Sequence, residues 1–328
     1  IYTYALAIPV VSVLGVLLGS LVTRRHLRRL QAGGLDAGEA ADIAFGRDEK
    51  TQPNWWILGG SLVFVVFTIG MGLSDIGLNK EIIFLGSMAI VVFLMSRLIK
   101  VLKPEDRLVL VGTAVIIFVY RAMPTPGAGQ TWWMIDGLGF DQQFLAVLSL
   151  IASVLTLFGM FLFRRFMAER SIAYVIVFLT IASSVLYLPI IGMFYGLHEW
   201  TASLTGGVVD ARFIGLVDTA LESTLGQIAM IPMLAWIANS APANLKATFF
   251  AVMASFTNLA LSASQLGTKY LNQVFTVTRE VKDRASDTIS VPADYSELGL
   301  LMWSAMLLGL FVPIAAVLLI RFSSLKSA

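Results

Sequence analysis

The sequence lacks the residues and motifs on which most metal and catalytic chemistry depends. None of its 328 residues is a cysteine, which excludes disulfides, thiolate zinc sites and iron–sulfur clusters. Its two histidines, His26 and His198, are too few and too far apart to predict a metal site, so we expect neither a metal nor a cofactor. A phosphate-binding loop, an HExxH helix and a GxSxG elbow are absent as well, and we expect no enzyme.

Charged residues are also scarce. They make up 13% of the chain, whereas soluble domains contain about a quarter. The net charge is +2, and no basic face extends beyond short loop clusters, which argues against a nucleic-acid partner. Hydrophobic residues reach 57%, with a mean hydropathy of +0.82. The composition therefore predicts an integral membrane protein, with the lipid bilayer as its surroundings.

A membrane-spanning helix needs about 20 mostly apolar residues, and nine stretches of the chain meet this requirement. They are continuous and too long to be the roughly ten-residue alternating strands of a membrane barrel. The sequence thus predicts an all-α, polytopic membrane helix bundle. The expected spans lie near residues 1 to 22, 55 to 74, 80 to 100, 107 to 123, 142 to 163, 172 to 195, 211 to 237, 245 to 270 and 298 to 320.

Lysines and arginines predict the orientation, because basic loops stay on the cytoplasmic side. One arrangement places sixteen of the 23 basic residues inside and the first residue outside. A cytoplasmic linker is expected at residues 31–54 and a polar external loop at residues 272–297. The chain begins at Ile1 inside an apolar run, so we expect that preceding residues are missing. The inside connections are then residues 23–54, 97–107, 164–171, 238–246 and 321–328.

Two acids lie within the seventh predicted span. Asp218 and Glu222 are four residues apart and share one helix face. Two ionised carboxylates so close in a low dielectric repel each other, which favours binding of a proton. If the pair faces a wet cavity, either acid is a candidate proton carrier. The alternative for both is a solvated helix start near the outer surface.

Other polar residues at membrane depth are candidates for a solute site or a gate. Arg121, near the outer end of its span, either reaches the headgroups or lines a cavity that binds an anion. Gln227 lies beyond Glu222 on the same span and is a candidate for solute binding. Pro232 frees a backbone carbonyl and bends its helix, which suits a gate or simple curvature.

The eighth predicted span carries polar residues at spacings of three, four and three, which form one stripe on an apolar helix. This stripe either binds solute or joins packed helices. Trp132 and Trp133 follow a helix break and form either an external gate or an interfacial aromatic belt. The stripe consists of Ser255, Asn258, Ser262 and Gln265.

Two segments resemble the folate-biopterin transporter family, a branch of the major facilitator superfamily. DTALESTLGQIAMIPMLAWIANSAPANLKATFFAVMASFTNLALSASQLG, from Asp218 to Gly267, resembles its signature region. PTPGAGQTWWMIDGLGFDQQFLAVLSLIASVLTLFG, from Pro124 to Gly159, resembles the start of its C-terminal half. The resemblance implies a major-facilitator-like fold of twelve helices in two halves. Residues 107–328 would then be the C-terminal six-helix half.

The same resemblance assigns the remainder and the site. Residues 1–106 would belong to the N-terminal half, with the cytoplasmic linker at residues 23–54; alternatively, that half ends at the first span and two helices are inserted. The family's acid maps to Asp218, and its small-polar stripe to Ser255, Asn258 and Ser262. Folates and pterins are planar rings with donor and acceptor edges, and folate has a carboxylate tail. Arg121 would hold that tail, while Gln227 and Asn258 contact the ring edge.

Two functions of different classes follow. The first is a monomeric secondary active transporter in the bacterial cytoplasmic (inner) membrane, moving a folate-like, pterin-like or other aromatic anionic solute by alternating access. Since the sequence shows no nucleotide-binding domain, a proton would be the coupling ion. The second is a non-transporting membrane scaffold or assembly partner with the same fold, because fold does not fix function.

Overall fold

The computed structural model describes residues 7–45, 54–225, 235–237, 241, 245–282 and 288–327. Contacts between residues divide the chain into two units, Ile1–Asn54 and Trp55–Ala328. The predicted division after residue 106 remains a prediction. The helices that precede it, from residue 55 onward, lie in the same unit as the six predicted C-terminal spans.

The first unit contains helices α1 (Ala7–Ala32) and α2 (Ala37–Phe45). The predicted linker is therefore partly helical. Its leucine-, alanine- and arginine-rich start continues α1, since these residues favour helix, and Asp36 then starts α2. The Asp36 carboxylate accepts a hydrogen bond of 3.1 Å from the backbone amide of Gly38, in the manner of a helix cap.

The second unit is built from eleven described helices and one short strand pair. Strands β1 (Val281–Lys282) and β2 (Ile289–Val291) pair antiparallel within the predicted external loop. The prediction of an all-α membrane bundle is confirmed. The helices are α3 (Trp55–Gly72), α4 (Asn79–Leu98), α5 (Pro104–Arg121), α6 (Ala128–Asp136), α7 (Gln142–Leu162), α8 (Arg164–Glu169), α9 (Ile172–Phe194), α10 (Leu197–Leu204), α11 (Ala211–Leu225), α12 (Lys246–Val274) and α13 (Leu298–Phe322).

Six helices in the described part of the chain are long and apolar enough to cross a membrane. They are α3, α4 with the 3₁₀ turn after it, α7, α9, α12 and α13. Helix α5 has the required length, but its first turn is charged, with Glu105 and Asp106. The predicted first and seventh spans extend into residues outside the described ranges. The chain is thus an integral membrane protein with several spans.

Local sequence explains where several spans begin. Helix α5 has Pro104 in its first turn, where the missing amide hydrogen costs nothing. The Asp141 carboxylate accepts a 2.7 Å hydrogen bond from the amide of Phe144 and caps α7. The hydroxyl of Ser171 accepts one of 3.3 Å from the amide of Tyr174 and caps α9. Each cap satisfies an amide that the helix itself leaves without a partner.

The helices pack around two buried cores. In one, Phe249 and Met253 of α12 are fully buried against α4 and α5. In the other, Trp133 of α6 packs with α9 and α13, where Leu298 is fully buried. Helix α11 packs along α7, and the absence of a side chain at Gly159 lets their backbones approach closely. Helix α9 contacts α5, α11 and α13, and we call these four helices the four-helix group.

Connections that the sequence assigns to one side of the membrane contact each other. On the predicted outer side, the amide of Thr125 donates a 3.0 Å hydrogen bond to the hydroxyl of Thr268, and Asp136 pairs with Arg279. At the other end of the bundle, the carbonyl of Lys326 lies against Gly112 in the first half of α5. The predicted alternation of sides is compatible with these contacts.

Candidate functional site

The acid cavity is the space of about 370 Å³ beside Glu222. Helices α5, α9, α11 and α13 and the turn after α5 form its walls. Its lining combines one carboxylate, two phenols and several hydroxyls with apolar side chains. The lining residues are Tyr120, Met123, Pro124, Thr125, Pro126, Thr180, Ser183, Ser184, Tyr187, Glu222, Ala305, Met306 and Gly309.

The cavity extends from the turn after α5 into the bundle. Glu222 is eleven positions after the start of α11, about 16 Å along the helix at 1.5 Å per residue. Ser183 lies near the middle of α9, and Met306 lies eight residues into α13. If α11 begins at one face of a hydrocarbon core about 30 Å thick, Glu222 would lie near mid-depth.

Hydroxyl groups around Glu222 are arranged as donors and acceptors. The Tyr187 hydroxyl donates a 2.6 Å hydrogen bond to the side-chain oxygen of Gln130, and the Ser184 hydroxyl donates one of 2.8 Å to the carbonyl of Thr180. The hydroxyl of Thr180 is buried and has no hydrogen-bond partner among the described residues. A buried polar atom without a partner costs free energy, so a bound water or solute would stabilise the cavity.

The neighbouring charged candidates lie close to this cavity. Asp218 is half-buried one helical turn before Glu222, on the same face of α11. Arg121 is half-buried at the end of α5 and directly follows Tyr120, which lines the cavity. The structure therefore brings both acids and the start of the Pro124 turn into one region. Their roles in solute or proton binding remain predictions.

The polar stripe of α12 faces other cavities. Ser262 and Gln265 line a space of about 360 Å³ between α3, α4 and α12, which we call the lysine cavity because Lys80 and Lys269 also line it. Ser255 lines a neighbouring, more apolar space of about 490 Å³ between the same helices. Asn258 lies between these positions on α12 and is exposed. The residues predicted to bind solute thus line two different regions, and the stripe does not line the acid cavity.

The predicted gate residues have different surroundings. Trp133 is 7% exposed, and its ring packs edge-on against Phe194 at 5.5 Å between centroids. Its face is therefore not offered to a solute in this conformation, and gating by Trp133 would require α6 to move. Trp132 is half-buried beside it. Gln227 and Pro232 lie outside the described residues.

Several residues of these cavities were not predicted. Lys80 and Lys269 stand near the ends of predicted spans, where a charged residue is usually part of a loop. Ser87 and Thr180 are small hydroxyl residues in mostly apolar helices. Tyr187 is one of many aromatic residues, and nothing in its sequence context distinguishes it as a cavity residue. A charged residue within the first or last turn of a span was the signal that would have identified the two lysines.

An ionic cluster joins α6 to the predicted external loop. Asp136 accepts hydrogen bonds from the Tyr295 hydroxyl at 2.6 Å and from two guanidinium nitrogens of Arg279 at 3.1 Å each. The Tyr295 hydroxyl and the Arg279 guanidinium lower the pKa of Asp136. Burial, together with the hydrogen bond to Asp136, raises the pKa of Tyr295 to about 12. The cluster ties the external loop to α6.

These features define a class of protein: a polytopic helical membrane protein with polar, partly charged cavities between its spans. The chain belongs to the BT1 family, whose model matches residues 10–321. The resemblance to folate-biopterin transporters that the sequence predicts is confirmed. No solved structure matches the chain.

Curated relatives carry transporter names and not enzyme names. The chain is similar to a folate-biopterin transporter of Synechocystis, with 29% identity over 44% of this chain and 28% of that protein. It is also similar to the putative folate transporter 2 of Plasmodium berghei, with 27% identity over 50% of this chain and 34% of that protein. Folate transporter 2 of Plasmodium falciparum is 26% identical over 49% of this chain and 34% of its own length. The matched region thus spans about a third of these relatives.

Proposed function

We propose that the protein is a secondary active transporter that moves a folate-like or pterin-like solute together with a proton. Family membership and the names of the relatives support the solute class. The observation that carries the proposal is the presence of Glu222 on the wall of the acid cavity, at a position of α11 that would lie near mid-depth of a bilayer. Ionisable residues at such depth are rare and usually serve transport.

The acid cavity offers what a coupled proton site requires. Glu222 is the one acid among the described lining residues, and no arginine or lysine lines the cavity with it. A carboxylate without a cation in a low dielectric binds a proton more readily than one in water. The negative charge of Asp218, on the same helix face, repels a charge on Glu222 and so favours its protonation further. Release of the proton then needs a change in the surroundings of Glu222, which alternating access provides.

Alternating access would move helices around the solute while the cavities stay within the bundle. Helix α12 packs against both α4 and α5, so it borders the lysine cavity on one side and the four-helix group on the other. A shift of α12 relative to α4 would change the lysine cavity. A shift of α9 relative to α11 would change the acid cavity. Closure of one side and opening of the other is the expected cycle.

Uptake into proteoliposomes tests the function. The purified protein is reconstituted, and uptake of labelled folate and biopterin is measured with and without an inward proton gradient. We expect a gradient to raise the initial rate and to drive accumulation above the outside concentration. Gradient-independent uptake would contradict proton coupling. Absence of uptake of either compound, with stable co-purification of another protein, would favour the scaffold function.

A further inference from the structure

We propose that the lysine cavity binds the carboxylate group of an anionic solute, through Lys80 and Lys269. This inference rests on the proposed function and specifies which part of the solute the outer end of α4 and α12 recognises. It replaces Arg121, which the resemblance implied as the partner of the carboxylate tail. Four further residues of the lining, described below, support the assignment.

The charges around the cavity do not cancel. Lys80 and Lys269 both line it, and none of its described lining residues is acidic. Among the described residues, Glu81 is the one acid that pairs with either lysine, and it accepts a 2.5 Å hydrogen bond from the ammonium of Lys269. Lys80 makes no ion pair among the described residues. One carboxylate therefore accompanies two ammonium groups, and a solute anion would neutralise the excess positive charge.

The Glu81 carboxylate is itself incompletely bonded. The Tyr270 hydroxyl donates to the same oxygen, Oε1, at 2.8 Å. The other oxygen, Oε2, is buried and has no partner among the described residues, and the Glu81 side chain as a whole is 15% exposed. The ammonium of Lys269 has three N–H donors and uses one of them on Glu81. A solute carboxylate can therefore bind to Lys269 while the pair with Glu81 is kept.

A buried hydroxyl on the cavity wall has no partner. Ser87 is 1% exposed, and its Oγ makes no hydrogen bond to any described residue. Ser87 lies on α4, two turns after Lys80, and lines the same cavity. Serines buried in helices usually donate to a carbonyl of their own helix, so this hydroxyl is free to bond a ligand.

The remaining lining residues indicate how a solute would be oriented in the site. Ser262 lies seven residues before Lys269 on α12, about 10 Å deeper along the helix. Gln265 and Thr68 also line the cavity and supply an amide and a hydroxyl between these two depths. A carboxylate at the lysines would therefore leave the rest of an elongated solute pointing inward. The volume of about 360 Å³ lies within the usual range for small-molecule sites.

Two probes that share a ring and differ in the carboxylate test the site. Folate has a pterin ring and a tail with two carboxylates, whereas biopterin has the same ring with a short dihydroxypropyl side chain and no carboxylate. Binding of both is measured on the full chain in detergent, for the unchanged protein and for Lys80→Gln, Lys269→Gln and Ser87→Ala. The matched control is Lys100→Gln, because Lys100 is exposed on the 3₁₀ turn that follows the opposite end of α4, on the predicted cytoplasmic side.

We expect Lys80→Gln to weaken folate binding about tenfold and to leave biopterin binding within about twofold. Lys100→Gln should change neither affinity. Ser87→Ala should weaken folate by about threefold without loss of folded protein. If Lys80→Gln weakens both probes equally, or changes folate no more than Lys100→Gln does, the site is overturned.

A second readout separates this proposal from the proposed function. If the unchanged protein binds neither probe, the solute class proposed above is wrong, and the anion site is tested with p-aminobenzoylglutamate, which has the two carboxylates and no pterin ring. An amine-modifying reagent is added, and modification of each lysine is followed by mass spectrometry. If the probe slows modification of Lys80 and leaves modification of Lys100 unchanged, the site is supported. If the probe slows modification of both lysines equally, or of neither, the site is overturned.

Discussion

The hydroxyl of Tyr187 donates a 2.6 Å hydrogen bond to the side-chain oxygen of Gln130. Tyr187 lines the acid cavity from α9, and Gln130 lies on α6, in the segment between two spans. One wall of the cavity is thus joined directly to the short helix α6. Motion of α6 and a change in the cavity should therefore be coupled.

Replacement of Tyr187 by phenylalanine should loosen α6. The ring is kept, so packing is retained, while the hydrogen bond, worth about 1 kcal/mol, is lost. We expect hydrogen exchange of the α6 backbone amides to accelerate about fivefold in Tyr187→Phe. The control is Tyr174→Phe, the same change at an exposed position of the same helix. Equal exchange of α6 in all three proteins would show that the bond does not hold α6.

The cluster of Asp136, Arg279 and Tyr295 should respond to acid. Because the pKa of Asp136 is lowered in the folded protein, its carboxylate stabilises the external loop above the unfolded pKa of about 3.9. That contribution is lost as the pH falls through the lower folded value. We expect no change in the loop between pH 7 and pH 5, and increasing mobility below about pH 4.

A single spin label can report this transition, because the chain has no other cysteine. Ile289→Cys places the label at an exposed position of β2. Asp136→Asn should make the label mobile already at pH 7, with little further change in acid. Glu280→Gln removes the neighbouring exposed pair with Lys282 and should have almost no effect. An immobile label in Asp136→Asn at pH 7 would refute a role for this cluster.

The contact between α7 and α11 depends on a glycine. A Cβ atom at Gly159 would overlap the backbone carbonyl of Thr224, which cannot move as a side chain does. On the same seam, the hydroxyl of Thr156 donates a 3.0 Å hydrogen bond to the carbonyl of Ser223. We expect Gly159→Ala to destabilise the protein by about 1–3 kcal/mol, which lowers the thermal midpoint in detergent.

The matched change for this prediction is Gly70→Ala on α3, where a new Cβ would have no atom within 4 Å. It should leave the midpoint unchanged or raise it slightly, because alanine favours helix over glycine. If both variants melt alike, close packing of α7 on α11 does not contribute measurably to stability.

The spans were predictable because lipid requires long, continuous apolar runs. The predicted spans at residues 55–74, 142–163 and 172–195 agree closely with α3, α7 and α9. Short helices that lie between spans, such as α6 and α10, have no such requirement and were not predicted. Helix α2 falls within a predicted linker, since a nine-residue helix has too few residues for a clear periodicity.

The sequence predicts which residues of the site share a face of one helix, but not which residues of other helices lie opposite them. Spacing places Ser262 and Gln265 on one face of α12, and they do line one cavity. What faces them depends on the fold: Glu81 and Lys269 are 188 residues apart in the chain and are joined only by the packing of α4 on α12. The polar stripe and Glu222 line different cavities for the same reason: the packing of helices far apart in the chain decides which residues lie together.

Proton movement during solute uptake tests the central claim, that Glu222 carries the coupled proton. A pH-sensitive dye inside proteoliposomes reports proton entry when folate or biopterin is added outside at equal initial pH. Glu222→Gln keeps the size of the side chain and removes the titrating group, Asp218→Asn does the same one turn away, and Glu199→Gln on α10 is the control. We predict acidification with the unchanged protein and with Glu199→Gln, and none with Glu222→Gln. Acidification by Glu222→Gln, at the same rate per solute as the unchanged protein, would contradict the account.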